Sequence, residues 1–562
     1  MGTSVLGVGM SRLPTAHDSP MTAKVKSGAH SQRLSKRQKN VAMACFSLAG
    51  LFPEQRPHPM RTPLHTCLMT LPLLCAAALL ASCGGSDDSS NPTPGPTPGP
   101  TTGPAPTGPA ASCPDAFING GVIGNLRNCV LPDRVLQNLT LPRRDGTIYS
   151  LAGRVEIGRD VGGDGRDPGG IPVVLTVEPG VTVFGSGGLD YLVVNRGSRL
   201  EATGTRTAPI IFTSRSNVEG LATDGDQGQW GGIIMLGRAP VSDCLRNVTP
   251  GTDDCEQAFE GLRDLIYGGG QAADNSGTLQ YVQIRYAGFE IAPDQEINGL
   301  TLAGAGSGTT VDHVQVHNSS DDAIEWFGGR ANARHLVLTG NDDDSLDTDQ
   351  GYQGFLQFVI AVQRNGGTSG DHIVEADSPG NEDSLPRQWT RLANFTFIAR
   401  STTTSSAMLI RGGADFTAVN GVIVAPGSCL DIASTGGTTF RAADGALQDQ
   451  GPPVFRSVAI SCGEGNFPRS SQITQENWNQ IFDFPAANNR PNFSSTLTSL
   501  IINGSNENAV PAFDAATLGN FMVSTSYIGA VQNSADDWYK GWTCDSATAD
   551  FGSGSSCRTI QR

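Results

Sequence analysis

The stretch 312–357 repeats itself at an offset of 22 residues, and the chemistry that repeats is carboxylate. His313-Val-Gln-Val-His-Asn-Ser-Ser-Asp-Asp-Ala-Ile-Glu325 aligns with His335-Leu-Val-Leu-Thr-Gly-Asn-Asp-Asp-Asp-Ser-Leu-Asp347. Asp321 falls on Asp343, Asp322 on Asp344 and Glu325 on Asp347, with Asp349 two residues further on. In a coil of stacked strands, equivalent residues of successive turns lie about 4.8 Å apart. Carboxylates in columns at that spacing repel one another. A bound cation is the simplest compensation. Dense, hard oxygen donors suit Ca²⁺, which takes six to eight of them. The expected metal set is therefore Asp321, Asp322, Glu325, Asp343, Asp344, Asp347 and Asp349. The alternative is a solvated acidic face with its side chains splayed into water. The Asp-x-Asp-x-Asp-Gly loop of an EF-hand is absent.

Two further groups could do chemistry. If Ile324, Leu346 and Val374 point inward, alternation sends Glu325, Asp347, Asp349, Glu375 and Asp377 to the outer face. The next turn then sets Leu409 over Glu375 and Arg411 over Asp377. A polysaccharide lyase would want Ca²⁺ and an arginine base such as Arg411. A glycosidase would want two carboxylates either about 5 Å or about 6.5–9.5 Å apart. An ion pair is the commoner fate of arginine beside aspartate. Trp326 and Tyr352, like Trp230 and Trp389, are candidates to stack on sugar rings or to cap turns. Glu375, Asp377, Arg411, Trp326 and Tyr352 thus form a possible ligand face. Histidines His313, His317, His335 and His372 cluster here too, with His313 and His335 in one column. A transition-metal site needs them to converge with a third ligand such as Asp312. A stacked imidazole ladder on an exposed strand is the competing expectation.

The elements that position these residues are short strands. A period in the 20s with two alternating strands per repeat is a solenoid signal. The pattern continues through 358–362, 373–377, 395–398, 408–411 and 422–432, and Met408 to Leu430 is again 22 residues. Short apolar runs such as Val173-Val-Leu-Thr-Val177 and Ile233-Ile-Met-Leu236 are divided by turn residues. The one candidate for an amphipathic helix is 475–482. The class is all-β: a single right-handed parallel β-helix behind a disordered N-terminal tether. About ten to fourteen turns are expected between residues 150 and 530.

Ahead of the solenoid, residues 60–82 read as a secretory signal: a basic start, an apolar run from Leu68 to Leu80, and Leu80-Ala-Ser-Cys83. The run is too short to span a bilayer. Residues 1–59 are a basic, unpatterned extension, as expected of a start codon set too early. Residues 83–111 are rich in Pro, Gly and Thr and form a tether. The domain proper is 112–562, a coil with a C-terminal cap.

Eight cysteines follow Cys83, in local pairs: Cys113 and Cys129, Cys244 and Cys255, Cys429 and Cys462, Cys544 and Cys557. An even number fits an oxidising compartment. Sequence alone does not fix connectivity, but distant turns of a solenoid do not meet, so nearest-neighbour pairing is expected. The whole chain has 38 basic and 54 acidic residues. After the signal the excess of acid grows, to 29 basic against 52 acidic. Such a surface disfavours nucleic acid as a partner and favours cations and neutral or basic ligands.

The chain resembles bacterial surface β-helix proteins, which are usually lipoproteins or secreted. The matching stretches include Leu175-Thr-Val-Glu-Pro-Gly-Val-Thr-Val, Gln229-Trp-Gly-Gly-Ile-Ile-Met-Leu-Gly-Arg-Ala-Pro and Asp274-Asn-Ser-Gly-Thr-Leu-Gln-Tyr-Val-Gln-Ile-Arg-Tyr-Ala-Gly288. Asp321-Asp-Ala-Ile-Glu-Trp-Phe-Gly-Gly329, Asp342-Asp-Asp-Ser-Leu-Asp-Thr-Asp-Gln-Gly-Tyr352 and Tyr527-Ile-Gly-Ala-Val follow in order. The cysteine motif resembles bacterial lipoprotein signals, which implies lipidation at Cys83. Gly84 after it implies the outer rather than the inner membrane. The resemblance implies a fold and no settled activity. The reading is an outer-membrane-anchored binding or scaffold module, stabilised by Ca²⁺, for a glycan or an outer-membrane protein partner. A carbohydrate-active enzyme on the same coil is the alternative.

Overall fold

A computed structural model describes residues 108–560, apart from 293–294, 366–370, 379–381, 401–405, 434–437, 464–473 and 483–485. The signal segment, Cys83 and the tether as far as residue 107 lie outside the described residues.

Apolar residues on alternate positions build stacked strands. Among the described residues, one sheet has fifteen strands and a second has ten. Each turn of the coil gives one short strand to the second sheet and longer strand segments to the first. Ile324, Leu346, Val374, Met408 and Leu430 stack in register along the short-strand sheet. All five are buried, and each contributes about 1.5–3 kcal/mol by burial. Val314, Leu336, Val359 and Phe395 form a facing column across the core. Where Phe395 needs room, the next turn supplies Gly421. A Cβ there would fall 2.0 Å from the Phe395 ring.

Each long strand bends at one residue. Tyr281, His313, His335, Phe358, Asn394, Asn420 and Ser457 all have φ between 51° and 60°. They fall inside Gly277–Arg285, Thr310–His317, Asn332–Thr339, Phe355–Val362, Trp389–Ile398, Asp415–Ala425 and Val454–Cys462. A left-handed non-glycine residue costs about 1–2 kcal/mol. The bend folds one strand across two faces of the coil. Tyr281, His313, His335 and Phe358 offset the cost by stacking, with ring centroids 4.4, 4.2 and 5.0 Å apart in turn.

The coil ends earlier than the sequence suggests. It starts with the antiparallel pair Ile118–Ile123 and Leu126–Val130 and closes with Val454–Cys462. The helix Gln475–Phe482 covers that end, Phe482 stacking on Phe455 at 5.5 Å. Among the described residues no sheet strand of the coil follows Cys462, and only a parallel bridge of Arg490 to Ala459 adds a partial turn. Instead a C-terminal strap runs back along the flank. Phe513 meets Asn420, Val523 meets Gln357, Cys544 meets Gln315 and Cys557 meets Asn217 and Arg285. Ile560 reaches Ile148 and Phe184, near the start of the coil. The strap lacks the alternation of a strand because its backbone bonds to side-chain amides of the coil.

Four disulfides join Cys113–Cys129, Cys244–Cys255, Cys429–Cys462 and Cys544–Cys557. The nearest-neighbour pairing holds.

Candidate metal centre on the acid-lined flank

The acidic residues sit where the repeat places them. Asp321-Asp322 and Asp343-Asp344 occupy the turns before the short strands Ile324–Phe327 and Leu346–Asp349. Glu325, Asp347 and Glu375 then pair rung to rung. They point away from the core, as alternation requires, but not into water. A chain excursion folds over them. Its hairpin, Gln257–Phe259 with Leu262–Tyr267, sets Phe259 and Tyr267 at 5.6 and 6.0 Å from Phe327. Asp322, Asp344, Asp347 and Glu375 keep only 5, 2, 8 and 3% exposure. The solvated-face alternative fails for these four.

Among the described residues four groups gather at metal-ligand spacing: Asp322, Glu325 and Asp347; Asp321, Asp322 and Asp343; Asp344, His372 and Glu375; and, on the long-strand sheet, Asp312, His313 and His335. Within each, one ligand atom per residue lies within 4.8 Å of the others. Asp349 joins none of them and presses instead on the Tyr267 phenol, raising its pKa together with burial. The Asp344 N–H donates to Asp322 Oδ1 at 2.9 Å, and the His372 N–H to Asp344 Oδ1 at 2.7 Å. Asn298 Nδ2 donates to Glu325 Oε2 at 2.6 Å.

Burial, then neighbouring acids, pushes Asp321, Asp322, Glu325 and Asp344 well above the usual carboxylate range. For Asp322 those neighbours are Asp321, Asp347, Asp344 and Glu325. Glu260, carried in by the excursion, and Glu296, from the separate hairpin Glu290–Ala292 with Gln295–Glu296, add to the load on Asp321. Sequence reading missed both, since nothing local ties them to the repeat. It also left His372 outside the acid set.

The possible ligand face needs correction. Trp326 and Tyr352 are fully buried inside the coil, rings 5.5 Å apart. The Tyr352 hydroxyl donates to the Ala331 carbonyl at 2.9 Å. Trp326 occupies an inward position of its strand and Tyr352 turns inward just past the strand end at Asp349, so both are closed off from a ligand. Glu375 and Asp377 are buried and hold Arg411 between them, each at 2.6 Å.

The histidines divide. His313 and His335 stack as a ladder, but Trp538 and Trp542 of the strap cover them, so the strand is not exposed. Both Nδ1 atoms approach one Asp312 oxygen, at 2.8 and 2.7 Å. Burial opposes ionisation of Asp312, yet the two imidazoles outweigh it and hold the carboxyl below its usual range. His317 is buried apart beside Thr339. Burial, then Arg285 and Arg364, lowers it to about 3.

Compared with known proteins, the chain matches no curated protein and no solved structure. A family model described as a pectate-lyase like β-helix domain does match, over residues 171–481. That span covers more than half of the chain and holds both the acid repeat and the stacked core. The chain therefore belongs to the pectate-lyase-like β-helix domain family.

Proposed function

We propose that the chain is a lipid-anchored β-helix at the outer membrane that acts as a binding scaffold and carries Ca²⁺ on its acid flank. One observation carries the calcium part. Asp322, Glu325 and Asp347 are packed together beneath the excursion, and the charged neighbours of Asp322 and Glu325 are other acids. Buried carboxylates crowded by other acids are driven to take up protons or a cation. The donors are oxygens, which suits a hard cation. Asp321, Asp343 and Asp344 would complete the set from the turns. Bound Ca²⁺ would neutralise the flank and favour the folded coil.

The scaffold part is supported by what the flank lacks. An enzyme of the lyase type would use a free arginine as its base, and Arg411 is engaged by Glu375 and Asp377. The family's name describes a fold, and a fold hosts many functions. The anchor rests on the lipobox ending at Cys83. A glycan or an outer-membrane protein is the proposed partner. A glycan array with and without Ca²⁺, followed by product analysis, tests the reading. Binding without turnover supports the scaffold, and cleavage of a bound glycan overturns it.

A further inference from the structure

Several arginines of this acidic chain pair with acids. Arg196 meets Asp160 and Glu256, Arg238 meets Asp274, and Arg387 meets Asp415 and Asp449. Arg330, Arg334 and Arg391 do not. Their recorded partners are carbonyls and aromatic rings, and among the described residues none of the three makes an ion pair with an acid.

Register sets Arg391 beside Phe355, and Arg330 lies close enough to Arg391 to feel its charge. Phe355 and Arg391 are partners on neighbouring turns, as are Arg334 and Gln357. Trp389 lies two residues before Arg391 on the same side of its strand. The Arg391 guanidinium therefore sits between two rings, its Cζ 3.8 Å over Phe355 and 4.2 Å over Trp389. Arg334 lies 4.1 Å over Phe521 of the strap. Arg330 Nη1 donates to the Gly329 and Gly351 carbonyls at 2.9 and 3.4 Å. Rings and carbonyls fix the guanidinium planes but do not neutralise them. Burial and the neighbouring Arg391 bring Arg330 down to about 10. Burial alone brings Arg391 to about 10, against the pull of Tyr352.

We propose that Arg330, Arg391 and Arg334 form a binding site for a phosphate group, with Trp389 and Phe355 beside it to receive the group's carrier. Planar guanidinium forks grip oxyanions through paired hydrogen bonds. Several fixed positive charges suit a dianion better than a single carboxylate. The half-buried rings of Trp389 and Phe355 give an apolar surface for a sugar or a similar small carrier. The net charge of −16 repels anions elsewhere on the molecule, so a saturable anion response points to this patch. The proposal rests on the binding-scaffold reading and is independent of the calcium on the opposite chemistry of the acid flank.

The test is calorimetric titration of the intact protein with inorganic phosphate and with glucose 6-phosphate, at constant ionic strength, using acetate and chloride as controls. Saturable binding of either phosphate is expected. Equal affinity identifies free phosphate as sufficient, and tighter binding of glucose 6-phosphate assigns a carrier subsite to the rings. Arg330→Gln should weaken phosphate at least tenfold. Arg391→Lys, which keeps the charge and loses the fork, should weaken it less than Arg391→Gln. Melting temperature and calcium response of each variant serve as folding controls. No saturable heat with either phosphate, equal heat with acetate, or unchanged affinity in folded variants overturns the site. Those outcomes with an intact calcium response leave the acid-flank reading standing.

Discussion

Gln315 and Cys544 hold each other twice across 229 residues of sequence. The Gln315 amide donates to the Cys544 carbonyl at 3.1 Å and accepts from its N–H at 2.8 Å. Gln357 and Val523 repeat the arrangement, at 2.8 and 2.9 Å. Substituting Gln315→Ala leaves two backbone groups of the strap unpaired, at about 1–3 kcal/mol each. Hydrogen exchange should accelerate across the strap while the stacked strands stay protected. Uniform acceleration everywhere would show that the strap does not open as a unit.

The acid flank makes stability depend on pH with a definite sign. The folded-state pKa values of Asp321, Asp322, Glu325 and Asp344 are raised. At neutral pH the metal-free folded state thus holds more protons than the unfolded chain, and stability falls as pH rises. In chelator, the melting temperature should climb as pH drops from 8 towards the unfolded carboxylate range near 4. Saturating Ca²⁺ should flatten or reverse that slope. A metal-free melt that falls on acidification from pH 8 to 5 contradicts the raised values.

Calcium itself should stabilise the fold. At free Ca²⁺ a hundred times its Kd, linkage gives about 2.7 kcal/mol. Asp322→Asn combined with Asp347→Asn should abolish that response and raise the metal-free melting temperature by removing repulsion. Thermal melts with and without chelator, at fixed ionic strength, check both halves. Indifference of the unaltered protein to chelator ends the metal hypothesis.

Arg411→Ala removes the cation that Glu375 and Asp377 share, both carboxylates being nearly buried. Loss of one partner from a buried pair costs about 3–5 kcal/mol. With the Arg411 side chain 30% exposed, the lower end is expected. Denaturant titration at pH 7 measures it, and the deficit should shrink near pH 5 as the two acids take up protons.

Cys83→Ala should move the protein from the membrane fraction to the soluble fraction. Fractionation followed by immunoblot decides it, and unchanged sedimentation with outer membrane rejects the lipid anchor.

The coil and its rung register were legible because a direct repeat carries them. Glu325 over Asp347 and Met408 over Leu430 follow from the 22-residue offset alone. The disulfides followed once the solenoid was in hand. Burial of the acids was not legible. It comes from the hairpin 257–267, which lies far from the repeat in sequence and carries no period. Trp326 and Tyr352 were misplaced for a different reason. The inward position of Trp326 was readable from alternation with Ile324, whereas Tyr352 lies in a turn past Asp349 that alternation does not reach, and the aromatic character of both suggested a ligand face. The strap was invisible because its partners are single amides, at most one to a turn, and such pairs leave no pattern in either segment.

The strap also sets an order of assembly. A chain made from its N-terminus can stack its turns as they emerge, each on the one before. Residues 513–560 come last. Until they arrive, Gln283, Gln315, Gln357, Asn394 and Asn420 must satisfy their amides with water along a bare flank. Docking of the strap is therefore the finishing step, and it proceeds backwards, from the newest turn towards the oldest. A premature stop within the last fifty residues would leave every turn in place and the flank wet, a nearly complete coil that had never been closed.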